Sequence, residues 1–297
     1  MPEATLSSSG PEYSRFVNSL RGKIFPTGVK DIRSAEWMPG AVFKTDLSER
    51  YGCEFHFGYF QERFEAYLFR ELLAPGSIVI DVGANFGLYT VLSAQAVSPT
   101  GRVYAFEPAE SAFNLLEENV RLNGLAEVVE CYNLCIGASD GQTEFYLTED
   151  TAFSGMAFTQ RSPLLRTKKM PVRSIDSFLQ EVGQSGINAL KIDVEGFEYA
   201  VLAGAMETIR NSPRIVILLE ISSKNLTSER KANLLSSLEN IFGLGFQAWC
   251  SDTDSQEMRA YNLSAELANI PSAAAFLVRA GSAREKDLLE AHSLVKN

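Results

Sequence analysis

From residue 77 onward the apolar positions follow two alternating rhythms. Short continuous runs, Ser-Ile-Val-Ile-Asp-Val at 77–82 and Arg-Val-Tyr-Ala-Phe at 102–106, read as strands buried on both faces. Between and after them a helical period returns at 87–96 and 110–122, the second closed by Asn123-Gly124, a pair that ends helices. The alternation continues with strands at 127–133 and 189–193, a helix at 197–209, a strand at 214–221, a helix at 226–242 and a strand at 245–249. Repeats of this kind wind a parallel sheet with helices on both faces. A last apolar run at 273–279 is placed to pair antiparallel with its neighbour. The predicted fold is α/β, a Rossmann-like, seven-stranded, mostly parallel sheet.

Outside that core the pattern weakens. Residues 1–57 start Ser/Gly/Pro-rich, carry short segments at 16–20 and 41–47 that suit helix and strand, and read as a small N-terminal cap. Residues 58–281 form the sheet domain and 282–297 a polar tail. The stretch 51–69 holds eight Phe or Tyr residues, and 61–73 has helical periodicity up to the Pro75-Gly76 stop, which predicts a core-facing helix. Thr143 to Leu147 reads as a strand behind the Ser139-Asp140-Gly141 turn. Residues 149–169 and 251–270 have no clear period, and loops of that length inside a domain often act as lids.

Chemistry enters at Asp81-Val-Gly-Ala-Asn-Phe-Gly87, which joins the first strand of the core to its helix. Gly83 and Gly87 allow positive φ and a close approach of ligand to backbone, with Asn85 between them, and Asp81 can accept hydrogen bonds from a cationic or polar group beneath the turn. Dinucleotide-binding sheets need G-x-G-x-x-G, but the third glycine position here is Leu88. A nicotinamide-dependent oxidoreductase is therefore disfavoured. The next strand ends in Glu107, whose carboxylate suits a grip on the two hydroxyls of a ribose. A glycine turn without the pyrophosphate pattern, plus a ribose acid, points to S-adenosylmethionine. Asp81 would then lie near the amino group of its methionine part, with Tyr89 and Thr90 close to the carboxylate, and the aromatic stretch 51–69 could wall the sulfonium by cation–π attraction.

The chain resembles the FkbM family of S-adenosylmethionine-dependent methyltransferases. The likeness rests on Asp81-Val-Gly-Ala-Asn-x-Gly87, Ala-Phe-Glu107-Pro, Glu118-Asn119-Val-x-Leu-Asn123-Gly124, Ser139-Asp140-Gly141 and Leu190-Lys191-Ile-Asp193-Val-Glu195-Gly196-x-Glu198, and spans about residues 58 to 221. It implies the class I methyltransferase fold, contacts of Ser139 and Asp140 with the adenine edge, and O-methylation of sugar or polyketide-like hydroxyls in natural-product biosynthesis.

Lys191, Asp193 and Glu195 are the catalytic candidates. At a strand end, residues two apart share a face, and the carboxyl ends of strands line the ligand crevice of an open α/β sheet. Asp193 or Glu195 could take the proton of a hydroxyl acceptor while Lys191 holds the acceptor or the carboxylate. Glu220, at the end of the next apolar strand, is a neighbouring candidate. The same acids could instead hold an amine, amide or guanidinium for N-methylation. Asp193, Glu195 and Glu220 offer oxygen ligands for Mg²⁺, although no metal is predicted. The basic set Arg161, Arg166, Lys168, Lys169 and Arg173 reads as a solvated face, or else as a lid for a substrate carboxylate or phosphate.

Composition narrows the partners. A formal charge of −10 and a pI near 4.9 argue against nucleic acid and leave a small-molecule substrate. No run approaches the roughly 18 apolar residues of a membrane helix, and the first 30 residues lack a signal-peptide core, so a cytoplasmic protein with no membrane partner is predicted. The four cysteines, at 53, 131, 135 and 250, form no C-x-x-C pair and read as buried free thiols. With only His56 and His292 in the chain, a Ser-His-Asp or Cys-His hydrolase is disfavoured.

Overall fold

The computed structural model describes residues 32–38, 40–57, 62–222, 226–251, 258–261 and 272–296. Thirteen strands appear among them: β1 Ile32–Met38, β2 Ala41–Asp46, β3 Ile78–Val82, β4 Arg102–Phe106, β5 Val129–Tyr132, β6 Cys135–Ile136, β7 Gly141–Thr148, β8 Leu164–Arg173, β9 Ala189–Ile192, β10 Val216–Ser222, β11 Phe246–Ser251, β12 Met258–Tyr261 and β13 Ser272–Arg279. Eight form the central sheet in the order β12-β11-β13-β10-β9-β3-β4-β5. The run from β10 to β5 is parallel, while β13, β11 and β12 are joined antiparallel. The expected α/β sheet is present, and β12 makes it eight-stranded rather than seven.

Strand alternation sorts side chains onto two cores. Val79 and Val103 face one layer, with Leu92 and Leu116 of the helices Leu88–Val97 and Glu110–Leu122. Ile80, Val82, Tyr104 and Phe106 face the other, with Phe178 and Val201. Asp81, Lys191 and Glu220 break this apolar rule in adjacent strands, and all three belong to the first face by parity. Asp81 and Lys191 are register partners across β3 and β9. Charges at matched positions of a buried sheet need each other, and their pairing anchors the site described below.

The hairpin β1–β2 docks through two asparagines. Asn119 and Asn123, one helical turn apart on Glu110–Leu122, accept from the backbone N–H groups of Lys44 (2.7 Å) and Val42 (2.9 Å), and donate to the carbonyls of the same residues at 3.0 and 2.7 Å. Asn119 also donates to Phe86 O at 2.8 Å. The Glu118-Asn119-x-x-x-Asn123 block thus seats the cap, and the cap's continuation, helix Arg50–His56, brings Arg50 and Tyr51 to the ligand cleft.

Several expectations need correction. The loop expected at 149–169 ends early: β8 begins at Leu164 and pairs antiparallel with β7 in a separate sheet of order β6-β8-β7. Its first six residues are all exposed, so no apolar alternation marks it. The helix expected at 197–209 is two, Glu198–Ala203 and Met206–Asn211. Gly204 interrupts them because its backbone packs on Gly137, where an added Cβ would stand 2.1 Å from the carbonyl oxygen. The Asp176 carboxylate then accepts from the N–H groups of Glu207 and Thr208 and caps the second helix. The tail expected at 282–297, with His292 in it, is mostly the helix Ala283–Lys296; Leu288 is buried, and Arg284 donates to Leu72 O (2.6 Å) and Arg214 O (3.0 Å). The segment 16–20 and most of 251–270 lie outside the described residues.

Candidate functional site

A cleft of about 1180 Å³, including its open mouth, lies where β3, β4, β9 and β10 end. It sits at the switch point, where the chain turns one way from β3 to β4 and the other way to β9, the usual ligand position of open α/β sheets.

The floor is the glycine turn. Gly83, Asn85 and Gly87 have φ of +77°, +51° and +93°. A Cβ on Gly83 would stand 1.8 Å from the Asp193 carbonyl oxygen, so only glycine lets the turns after β3 and β9 touch. The N–H groups of Gly83 and Ala84 both donate to Phe106 O at 3.0 Å, which ties the turn to the end of β4.

Glu107, at that end, accepts from Asn85 N on Oε2 (2.8 Å) and from Ala109 N on Oε1 (2.7 Å). An ionised carboxylate has about four lone-pair sites, so one remains on each oxygen, which suits a vicinal diol. Burial pushes this carboxyl up to about 7 against those two N–H groups and Lys191. Beside Glu107 the cleft is walled by Pro108, Leu134, Cys135, Ile136, Phe145 and Met156, a slot for a flat apolar ring system.

Lys191 organises the centre. Its side chain is 5% exposed; the ammonium donates to Gly83 O (3.0 Å) and Asp193 Oδ2 (3.4 Å) and forms an ion pair with Asp81 Oδ1 at 3.8 Å, with the Tyr89 ring centroid at 5.1 Å. Asp81, 1% exposed, also receives the Thr90 hydroxyl at 2.6 Å. Burial opposes the charge on Lys191, but Asp193, Asp81, Glu220 and Glu62 outweigh it and raise its pKa. Burial also raises Asp81, opposed by Lys191 and Thr90.

The other end of the cleft is acidic. Glu195 takes the left-handed conformation at φ +55° and bonds Arg161 at 2.9 Å, and the Arg161 guanidinium lies 4.0 Å from the Phe153 ring centroid. Glu62 receives the Tyr51 hydroxyl at 3.5 Å, and Glu198, 2% exposed, receives Gly196 N at 2.8 Å. Burial, reinforced by Asp193, lifts Glu62 and Glu195 to about 8. Burial lifts Glu198 to about 7 against the Gly196 N–H, and lifts Glu220 well above the carboxylate range with Asp193 and Glu62 adding to it.

The sequence pattern of the methyltransferase FkbM domain matches residues 81–261, well over half of the chain. The chain belongs to the FkbM methyltransferase domain family. AMB antimetabolite synthetase AmbE of Pseudomonas aeruginosa is 28% identical over 204 residues, 56% of this chain and 9% of that protein. Methyltransferase 1 of Beauveria bassiana is 27% identical over 147 residues, 43% and 58% of the two chains, and 31-O-demethyl-FK506 methyltransferase FkbM of Streptomyces tacrolimicus is 32% identical over 170 residues, 48% and 64%. The chain therefore spans less than two thirds of each of these relatives.

Within this FkbM domain the residues singled out from sequence divide. Gly83, Asn85, Tyr89, Glu107, Lys191, Asp193 and Glu195 line the cleft, as does Glu220. Asp81, Gly87 and Thr90 do not line it but support its floor from beneath. Ser139 and Asp140 stand apart from it. Asp140 Oδ1 instead accepts from Ser174 N (2.8 Å) and the Ser177 hydroxyl (2.5 Å), next to Arg173, and this hold lowers its pKa. Strand β9 ends at Ile192, so Glu195 does not reach the cleft by strand alternation as expected; the left-handed turn at Glu195-Gly196 turns it there. The basic set is split as well: Arg161 lines the cleft, while Arg166 and Lys168 face Glu110 and Arg173 pairs with Asp140 and Glu181. Sequence reasoning missed Glu62 and the slot at 134–136, reached Tyr51 only as part of the aromatic stretch 51–69, and quoted Glu198 without giving it a role. Among the described residues no three acids or histidines converge as ligands for a metal ion, and no helix is long and apolar enough to cross a membrane.

Proposed function

We propose that this chain transfers a methyl group from S-adenosylmethionine to a hydroxyl of a small-molecule acceptor. The observation that carries the reading is Glu107: a buried strand-end carboxylate, pinned by two backbone N–H groups, with one acceptor site free on each oxygen beside an apolar slot. Those features suit an adenosine, with the diol on Glu107 and the ring between Ile136 and Phe145. The turn from Gly83 to Tyr89 would hold the methionine part. When bound, the donor supplies an electrophilic methyl carbon on a sulfonium.

The protein's share of the chemistry is alignment and removal of one proton. Positioning alone contributes roughly 7–11 kcal/mol in good intramolecular models. Glu195, oriented by Arg161 and raised to about 8, accepts the hydroxyl proton in its ionised form. Asp193 faces Lys191 and shapes the turn. Lys191, which donates to Gly83 O and Asp193 and pairs with the Asp81 charge, anchors the floor rather than gripping the acceptor. A nitrogen acceptor fits less well, because carboxylates so close would keep an amine protonated and without a lone pair.

Calorimetry with S-adenosylhomocysteine tests the reading. Glu107→Gln should weaken binding by roughly 10- to 150-fold, as expected for one charge-assisted hydrogen bond worth ~1.5–3 kcal/mol. Absence of heat with the wild-type protein, or an unchanged affinity in the variant, would remove the adenosine from this cleft.

A further inference from the structure

The cleft carries more negative charge than the donor explains. Six carboxylates line it (Glu62, Glu107, Asp193, Glu195, Glu198 and Glu220) against the three cations Arg50, Arg161 and Lys191. A sulfonium, an ammonium and a carboxylate on the donor add a net charge of one. With every carboxyl ionised, toward the upper end of the pH range used below, two negative charges remain, and Glu62, Glu195, Glu198 and Glu220 line the end away from Glu107. A second observation points the same way. Glu198 is 2% exposed and lines the cleft; its Oε1 takes the Gly196 N–H, but Oε2 has no hydrogen-bond partner. A buried, unsatisfied acceptor costs about 1–3 kcal/mol unless something donates to it. Because no three of these acids converge on a metal position, an organic donor is the better match.

We infer, building on the function proposed above, that the acceptor is an amino alcohol: a protonated amine docks among Glu198, Glu62 and Glu220 while a neighbouring hydroxyl is presented to Glu195. The two nitrogen and oxygen roles are thereby separated. The ammonium stays charged, because carboxylates surround it, and serves as the handle. The hydroxyl, neutral until its proton passes to Glu195 as the oxygen–methyl bond forms and the sulfonium leaves as the thioether, carries the nucleophilic lone pair. Arg161 does not offset this preference, since Glu195 and the Phe153 ring engage it.

The test uses three probes of one skeleton, 5-aminopentan-1-ol, pentane-1,5-diol and 5-hydroxypentanoate, titrated into the full chain saturated with S-adenosylhomocysteine at constant ionic strength. The amino alcohol should bind at least tenfold tighter than the diol, and the hydroxy acid weakest. Raising the pH from 6 to 8.5 should strengthen only the amino alcohol, as the carboxylates ionise. Glu198→Gln should remove most of the preference, its retained S-adenosylhomocysteine affinity showing that it is folded; Glu220→Gln serves if it is not. Equal binding of amine and diol, tighter binding of the acid, or no binding of any probe overturns the inference. Failure of S-adenosylhomocysteine itself to bind overturns the proposed function instead.

Discussion

Replacing Lys191 with Met keeps the length of the side chain and removes its charge. The Lys191 side chain is 5% exposed, its ammonium stands 3.8 Å from the carboxylate of Asp81, whose side chain is 1% exposed, and Asp81 Oδ1 has no hydrogen bond to fall back on. Breaking a buried ion pair from one side costs about 3–5 kcal/mol, because the remaining charge is left in low dielectric. At roughly 2 °C per kcal/mol for a chain of this size, the melting temperature should fall by about 6–10 °C near pH 8. The sign of the pH dependence follows from Asp81. Burial already raises its folded pKa above the unfolded value, and loss of the cation raises it further. A carboxyl with a raised folded pKa contributes stability at low pH and loses it as pH rises through that pKa. The deficit of the variant should therefore shrink at pH 5. Scanning calorimetry of Lys191→Met, Asp81→Asn and the double variant checks this, with the double variant recovering part of the loss at pH 8. A melting temperature within about 1 °C of wild type, together with an acceptor KM that rises alone, would refute the anchor and return Lys191 to the acceptor.

Glu195→Gln should lower kcat by roughly 10²–10⁴-fold, and the wild-type kcat should climb with pH to a plateau above about 8 as Glu195 ionises; a profile flat from pH 6 to 9 would count against Glu195 as the base. Gly83→Ala combines a left-handed φ of +77° with a Cβ 1.8 Å from the Asp193 carbonyl, so it should cost about 2–5 kcal/mol and abolish S-adenosylhomocysteine binding, read together by thermal melting and calorimetry.

How far the sequence reaches depends on whether a signal is local. The strands β3, β4 and β9 are legible because central parallel strands are apolar on both faces, and Asp81 and Lys191 stand out in them as charges that such positions do not tolerate singly. Strand β8 is illegible for the opposite reason: with 164–169 exposed on both faces it has no period to read. The break at Gly204 depends on the backbone of Gly137, 67 positions away in sequence, and the cap supplied by Asp176 lies 32 positions from Thr208. Glycine within a helical pattern says only that a helix is weakened, not where its interruption is enforced.

The same distinction separates the glycine-turn end of the cleft, where the lining residues stand out in the sequence, from the acidic end, where Glu195 and Glu220 stand out and Glu62 does not. Gly83, Asn85 and Glu107 act close to where the chain places them: the turn follows β3 directly, and Glu107 is held by the turn and by its own successor, Ala109. The acceptor end is assembled from four separate places. Glu62 precedes the helix Arg63–Glu71, Arg161 comes from the loop before β8, Glu195 and Glu198 from the turn after β9 and the first residue of the helix it opens, and Glu220 from β10. Glu62 and Glu198 are ordinary in their own segments, whereas Glu220 interrupts an apolar strand. Their effect is collective, since each of Glu62, Glu195 and Glu220 is pushed upward by burial and by Asp193. A substitution at one of them should therefore shift the ionisation of the others, and effects at this end will not add.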